Sequence, residues 1–299
     1  MHAGPPLRVA RTDVKPEAPQ LTRPPFALVR ALGPSEVGAE IVASFTALGA
    51  RPNRLEHAHA QAMRSIGLPD SDALLKAGRA IARAIDQGIG AGVATGYHNG
   101  QHFLEVMLSA LYLARLSAFD ARRAARVVTA GLIHDFHHDG SRGMTSPFRL
   151  ELLAVERAQP YLRNAKVNAA ERARLETLVL ATEPRAGVPF ARACWACHVA
   201  GGQARPMSAA LPPPLERLLA EAELAHEAVL LAEADVLPSI GLTIEHADQL
   251  QSRLAAEWGT TLGREDKLQF IERMIGDISV AAFFIPNVRT LRQAYQATG

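Results

Sequence analysis

The chain has 299 residues, 32 of them Lys or Arg and 30 Asp or Glu, and 48% of its residues are hydrophobic. This length fits one large domain or two small ones, and the hydrophobic content can fill a sizeable core. The formal charge of +2 gives no support to a nucleic-acid-binding or anionic-membrane surface. A disulfide framework is excluded, since Cys194 and Cys197 are the two cysteines.

Residues 1–25 are rich in proline and arginine, which predicts a flexible N-terminal arm. The arm has no apolar stretch of the kind found in a secretory signal. No run of about 18 apolar residues follows it, so no membrane span is expected. These features predict a soluble, cytoplasmic protein, and they leave a homodimer open.

Residues 26–299 predict a helical domain. Short helical patterns up to residue 68 are interrupted at Gly33-Pro34 and at 51–53. Apolar residues at helical spacing then predict further helices, over 70–87, 97–117, 121–135, 148–162, 169–183, 215–237, 243–258, 265–284 and a short stretch after 286. Prolines and glycines in 184–214 predict a long irregular loop insertion. Strand patterns and repeats are absent, so the predicted fold class is all-α, a compact helical bundle.

The most informative stretch is 130–140, where an apolar helical approach ends in His134-Asp135 and is followed by His138. An adjacent His and Asp offer an imidazole nitrogen and a carboxylate oxygen to one divalent ion. If the helix continues, His134 and His138 share a face one turn apart. The stretch therefore predicts one part of a metal site.

The preceding helix carries His98 and His102 near its start. A short turn around Asp120 joins the two helices, so they should be antiparallel neighbours. His102 lies about as far before this turn as His134 lies after it. This spacing predicts that His102 lies close to His134 and Asp135.

Asp235 follows the apolar run 228–232 on a later predicted helix. Burying a carboxylate in such surroundings is costly unless the group is paired or bound to a metal. Together with the histidines, Asp235 predicts a single metal site assembled from three parts of the chain.

Four motifs resemble, in the same order, those of class I cyclic-nucleotide phosphodiesterases, which belong to the HD-domain metal phosphohydrolases. They are Tyr97-His98-Asn99-Gly100-Gln101-His102, His134-Asp135-Phe136-His137-His138-Asp139-Gly140, Leu180-Ala181-Thr182-Glu183 and Ala234-Asp235. The resemblance covers about 90–285, and its first two motifs are the specific ones. It implies an all-helical phosphodiesterase that acts on a small-molecule nucleotide.

The resemblance also implies a role for each matching residue. The first metal ion would be held by His102, His134, Asp135 and Asp235, and Asp135 would bridge to a second ion. His98 would match the proton donor to the leaving oxygen, and His138 the histidine near a hydroxide bridging the two ions. Glu151 or Glu156 would supply a further carboxylate. The mixed nitrogen and oxygen donors leave Zn, Mg, Mn and Fe open.

The substrate site departs from the family pattern. Family members that read a purine carry a glutamine that Lys267 replaces here, and Gln269 lies two positions away. Tyr97, Gln269 and Phe270 are the candidate substrate contacts. The expected reaction is hydrolysis of a phosphodiester, most simply a 3′,5′-cyclic nucleotide to its 5′-monophosphate. A nucleotide phosphomonoesterase on the same scaffold is the alternative.

Cys194-Trp195-Ala196-Cys197-His198 offers a different interpretation. The sequence fits the Cys-x-x-Cys-His pattern of covalent haem attachment. A haem- or metal-binding sensor is therefore a third hypothesis, although the chain has no other cysteine for a zinc site.

Overall fold

The computed structural model describes residues 32–141, 146–202 and 211–297, and the predicted arm over 1–25 lies outside these ranges. Every regular element in the described ranges is helical, which confirms the all-α prediction. The α-helices are α1 Pro34–Gly49, α2 Arg54–Ser65, α3 Ala73–Asp86, α4 Gly100–Leu116, α5 Ala121–Ile133, α6 Arg149–Asn164, α7 Ala169–Leu180, α8 Gly187–Val199, α9 Arg217–Ala220, α10 Ala222–Ile240, α11 Ile244–Glu257, α12 Arg264–Asp277 and α13 Ile285–Ala297. Two 3₁₀ turns, Pro213–Glu216 and Ala282–Phe284, complete the set.

Short polar side chains fix where several helices begin. Asp72 accepts hydrogen bonds from two backbone N–H groups at the start of α3, and Asp120 does the same for α5. Both residues satisfy N–H groups that lack partners within the helix. Thr243 caps α11 by accepting the His246 N–H.

Helices α4 and α10 form the centre of the bundle. Residues 102–114 of α4 are all buried, and α4 packs against both α5 and α10. Gly131 lets α5 approach closely, since a Cβ at this position would lie 3.3 Å from Met107 Cα. A second, smaller hydrophobic cluster lies among α10 to α13. None of the described helices combines the length and apolar character needed to cross a membrane.

The predicted loop over 184–214 is wrong in its first half, where α8 forms. Pro189 is compatible with this helix because it lies in the first turn, where its missing N–H breaks no helical bond. Glu183 also supports the helix, since its Oε2 accepts the N–H groups of Arg185, Ala186 and Gly187. Residues 203–210 of the predicted loop lie outside the described ranges.

Two further helix boundaries differ from the predictions. The helix predicted over 215–237 begins at Ala222 and continues past Pro238 to Ile240, because a proline in the last turn removes only one hydrogen bond. The helix predicted over 265–284 ends at Asp277. There the buried carboxylate of Glu233 accepts the N–H groups of Ser279 and Ala281, which favours a turn over a continued helix.

Helix α2 buries His59 completely, and neither ring nitrogen has a hydrogen-bond partner among the described residues. Burial lowers the pKa of His59 to about 3, and Arg79 adds to this effect. Below about pH 6.5, His59 therefore takes up a proton in the unfolded chain but stays neutral in the folded chain. The free energy of unfolding should fall by about 2 kcal/mol between about pH 6.5 and pH 5 through this residue alone.

Urea unfolding of a His59→Leu variant across this pH range tests the expectation. The variant should be more stable, because leucine leaves no unsatisfied polar atom, and its stability should fall less steeply with acid. His57→Leu is the matched control, since His57 is exposed on the same helix. An unchanged acid slope in His59→Leu would contradict the assignment.

Candidate metal centre

The first part of the site is the turn that enters α4. Asn99 is the helix cap, and its Oδ1 accepts the N–H groups of Gln101 and His102 at 2.8 and 3.2 Å. The helix therefore begins at Gly100, three residues later than predicted, and His98 lies before it. His98 and His102 nevertheless converge, with 5.5 Å between their ring centroids.

The second part follows the end of α5 at Ile133. His134 occupies the C-cap position, and the backbone turns at His137, whose φ is +69°. The prediction that His134 and His138 share one face of a helix is therefore wrong. The turn still brings His138 to the site, where its ring stacks on His98 with a centroid distance of 3.7 Å and an interplanar angle of 16°.

The structure brings the four predicted metal ligands together. His102 Nε2 lies 3.1 Å from Asp135 Oδ2, 3.3 Å from His134 Nε2 and 3.3 Å from Asp235 Oδ1. His134 Nε2 lies 3.2 Å from Asp135 Oδ2 and 3.6 Å from Asp235 Oδ1. Helix α10 supplies Asp235, so three separate parts of the chain meet at one point, as predicted.

These separations fit a metal ion. Donor atoms about 2.1 Å from a common ion lie roughly 3.0–3.5 Å from each other. His134 Nδ1 lies 2.9 Å from the Gly131 carbonyl oxygen, which holds the ring with Nε2 turned to the centre. This is the usual arrangement of a metal-binding histidine. The Nε2 atoms of His102 and His134 lie 3.3 Å from each other, and both face carboxylates. Together these groups form a donor set suited to a cation.

The two carboxylates make the centre favourable for positive charge. Burial would lower the pKa of His102, but Asp135 and Asp235 outweigh it and raise that pKa to about 9. Burial likewise opposes ionisation of Asp235, yet the two histidines hold its pKa well below the usual range. The strong mutual attraction shows that the centre stabilises positive charge.

Glu257, at the end of α11, is a site residue that the sequence did not reveal. Its Oε1 lies 2.6 Å from His98 Nδ1, and its Oε2 accepts the His98 backbone N–H at 2.9 Å. His98 Nε2 faces the centre, 3.8 Å from Asp135 Oδ2. The carboxylate thus fixes the orientation of His98. One local signal exists, because an acidic residue in the last turn of a helix is unfavourable for the helix dipole.

A cavity of about 190 Å³ opens beside the centre. Its wall includes Asp135, Asp235, Thr182, Arg185 and Glu151. Of the two carboxylates considered from the sequence, Glu151 lies in this wall, whereas Glu156 is exposed elsewhere on α6. Burial, together with nearby Asp135, raises the pKa of Glu151 to about 7.

The predicted substrate contacts have different positions. Tyr97 packs on the His102 ring with 4.7 Å between centroids, and its hydroxyl lies 3.2 Å from Ser239 Oγ. Gln269 is exposed, and Phe270 packs on the smaller hydrophobic cluster, so neither lines the cavity. Lys267 is buried, and its Nζ donates to the Ser239 carbonyl oxygen. The structure therefore does not place Gln269 or Phe270 in the wall of this cavity. Gln269 lies on a different face of the helix from Lys267, whereas Phe270, three residues after Lys267, lies on a similar face and packs on the smaller cluster.

The Cys-x-x-Cys-His stretch forms the second half of α8. Cys194 is buried in the core, and burial raises the pKa of its thiol to about 11. His198 Nε2 lies 2.9 Å from the Leu218 carbonyl oxygen, and Trp195 stacks on His226. These contacts are those of a packed helix, so the geometry does not favour a haem or metal sensor.

No protein-family model matches the chain, and no curated protein matches it. Several solved structures, however, do match the chain. LmjPDEB1 in complex with IBMX matches with a TM-score of 0.56 and 12% identity, covering 88% of both chains. Two structures of the phosphodiesterase domain of the rhodopsin phosphodiesterase from the choanoflagellate Salpingoeca rosetta also match. One has a TM-score of 0.56 and 16% identity, covering 88% of this chain and 90% of that chain. The other has a TM-score of 0.57 and 15% identity, covering 87% of this chain and 88% of that chain. The chain therefore has the all-helical fold of these phosphodiesterase domains.

Proposed function

We propose that the chain is a metal-dependent hydrolase of a phosphodiester, with a 3′,5′-cyclic nucleotide as substrate and its 5′-monophosphate as product. The observation that carries this proposal is that the carboxylate oxygens of Asp135 and Asp235 each lie 3.1–3.6 Å from the two imidazole nitrogens of His102 and His134. The match to phosphodiesterase domains supports the same reaction class by analogy of fold.

His102, His134, Asp135 and Asp235 would hold one divalent ion, and Asp135 would share a second ion on the cavity side. When bound, two such ions neutralise a phosphate and lower the pKa of a coordinated water molecule to about 7. Zn, Mg, Mn and Fe all fit these donors. Glu151 and Thr182 line the cavity near Asp135, where they can orient solvent.

Within the proposed mechanism, His98 gives a proton to the leaving oxygen. Its Nδ1 is held by Glu257 at 2.6 Å, which leaves Nε2 facing the cavity. The stacked ring of His138 restricts His98 to this position. Arg185 adds a positive side chain to the cavity wall, which favours an anionic substrate.

His98→Ala should lower turnover by roughly 10²–10⁴-fold, the usual contribution of a positioned acid. Bound metal should stay near normal, because His98 is not among the four proposed ligands. Glu257→Gln should lower turnover less, since its amide oxygen can still accept from the ring. Steady-state kinetics and elemental analysis measure both effects. Full turnover in His98→Ala would contradict the assigned role.

A nucleotide phosphomonoesterase is the second candidate, favoured by the position of Lys267. This residue replaces the family's base-reading glutamine and is bound to the Ser239 carbonyl oxygen in the core. Assays of cyclic nucleotides beside the corresponding 5′-monophosphates, with each metal in turn, distinguish the candidates. Cleavage of cyclic substrates alone supports the first proposal. Cleavage of monophosphates alone replaces it with the second.

A further inference from the structure

A second cleft, of about 850 Å³, lies beside the segment that carries His98. Its walls come from the end of α1, the start of α2, the start of α4 and one face of α11. It shares no lining residue with the cavity at the metal centre. Its volume lies within the range of small-molecule binding sites.

Three arginines line this cleft, namely Arg51, Arg54 and Arg253. In the part of the chain that the structure describes, the side chains of Arg51 and Arg253 have neither an ion pair nor a hydrogen bond. Arginine presents several donors in a planar arrangement that suits phosphate and carboxylate groups. The wall of the cleft therefore presents positive charge that no other described side chain neutralises.

The acidic residues of the cleft already have partners. Asp86 accepts the N–H groups of Leu55 and Glu56 at 3.2 and 3.0 Å. Glu105 is buried, accepts from Gln101 at 2.9 Å and lies 3.2 Å from His246 Nε2. Neither carboxylate contacts Arg51 or Arg253. The cleft thus carries a net positive charge toward a ligand.

Arg54 is the third arginine of the cleft. Its Nη1 lies 3.1 Å from the Gly49 carbonyl oxygen and 3.4 Å from Gln101 Oε1, so two neutral oxygens hold its guanidinium in place. Among the described residues no carboxylate pairs with Arg54, so its charge adds to that of Arg51 and Arg253.

We propose that this cleft binds a small molecule that carries adjacent phosphate groups, independently of the metal centre. The three arginines of its wall would hold the phosphates. This binding does not depend on the proposed hydrolytic function, because no proposed metal ligand lines the cleft.

The test is calorimetric titration of the full metal-loaded chain with ADP. Arg51→Gln and Arg253→Gln should each weaken binding at least about tenfold. Arg289→Gln is the matched control, because Arg289 is exposed on α13, outside the cleft. His102→Ala, which disables the metal centre, should bind ADP as the natural chain does.

Three outcomes would overturn the proposal. They are no ADP binding at millimolar concentration, unchanged binding in both arginine variants, and loss of binding in His102→Ala. The last would show that ADP occupies the metal centre instead. Circular dichroism checks that each variant is folded, and Arg51→Gln alters only an exposed side chain. The substrate assays are separate, so either proposal can fail alone.

Discussion

Asp135→Ala is expected to abolish hydrolysis and to lower the amount of bound metal. The Asp135 carboxylate lies 3.1 and 3.2 Å from the two ligand histidines, so its loss removes a shared negative charge from the centre. Losing an outer partner of a metal site typically costs about 10–100-fold in affinity or activity. If Asp135 serves two ions, as proposed, its loss should cost more than this. His134→Ala should have a similar effect.

Elemental analysis of the purified variants and turnover of a cyclic nucleotide measure this expectation. Glu156→Ala is the matched control, since it removes an exposed carboxylate from α6. The control should keep both metal and activity. If chelation left the activity of the natural chain unchanged, or if Asp135→Ala retained full turnover, the metal centre would lose its proposed role.

Glu227→Ala is expected to lower the free energy of unfolding by about 3–5 kcal/mol, the range observed when one partner of a buried ion pair is removed. Glu227 is completely buried on α10. Its carboxylate binds Arg126 Nη1 at 2.6 Å and Arg123 Nε at 3.0 Å. Arg126 is also buried, and it would keep its charge with Glu171 as its remaining partner.

Glu223→Ala is the matched control one turn earlier on α10. Its carboxylate is 77% exposed and lies 3.7 Å from Arg123, so the change should cost less than about 1 kcal/mol. Replacing both Glu227 and Arg126 by apolar residues should recover much of the loss. Urea unfolding measures all three variants. Equal effects of Glu227→Ala and Glu223→Ala would contradict the buried-pair assignment.

Local sequence patterns predicted most of the helices and several of the side chains that meet at the candidate metal centre, because both leave local signals. Asp72 and Asp120 cap helices through bonds to the next residues, and the ligand pair His134-Asp135 is contiguous. The turn between α4 and α5 places His102 beside that pair. Each of these features depends on interactions close in the chain.

The features that the sequence did not reveal depend on distant partners. Glu257 contacts His98 from 159 residues away, and nothing around it suggests this contact apart from its unfavourable helix position. Helix α8 forms in a segment rich in proline because it packs against α10. The position of His138 depends on the backbone reversal at His137, which the Gly90 carbonyl oxygen stabilises by accepting the His137 N–H.

The close contact of α4 and α5 at Gly131 helps to set the geometry of the proposed catalytic centre. The same glycine offers its carbonyl oxygen to His134 Nδ1, so the contact between the helices and the aim of the imidazole depend on one residue. A methyl group there would force the helices apart by a few tenths of an ångström. Such a displacement is at least as large as the tolerance of coordination distances, which is about 0.2 Å. Selection for a working centre would therefore restrict this interior contact as strictly as it restricts the ligands.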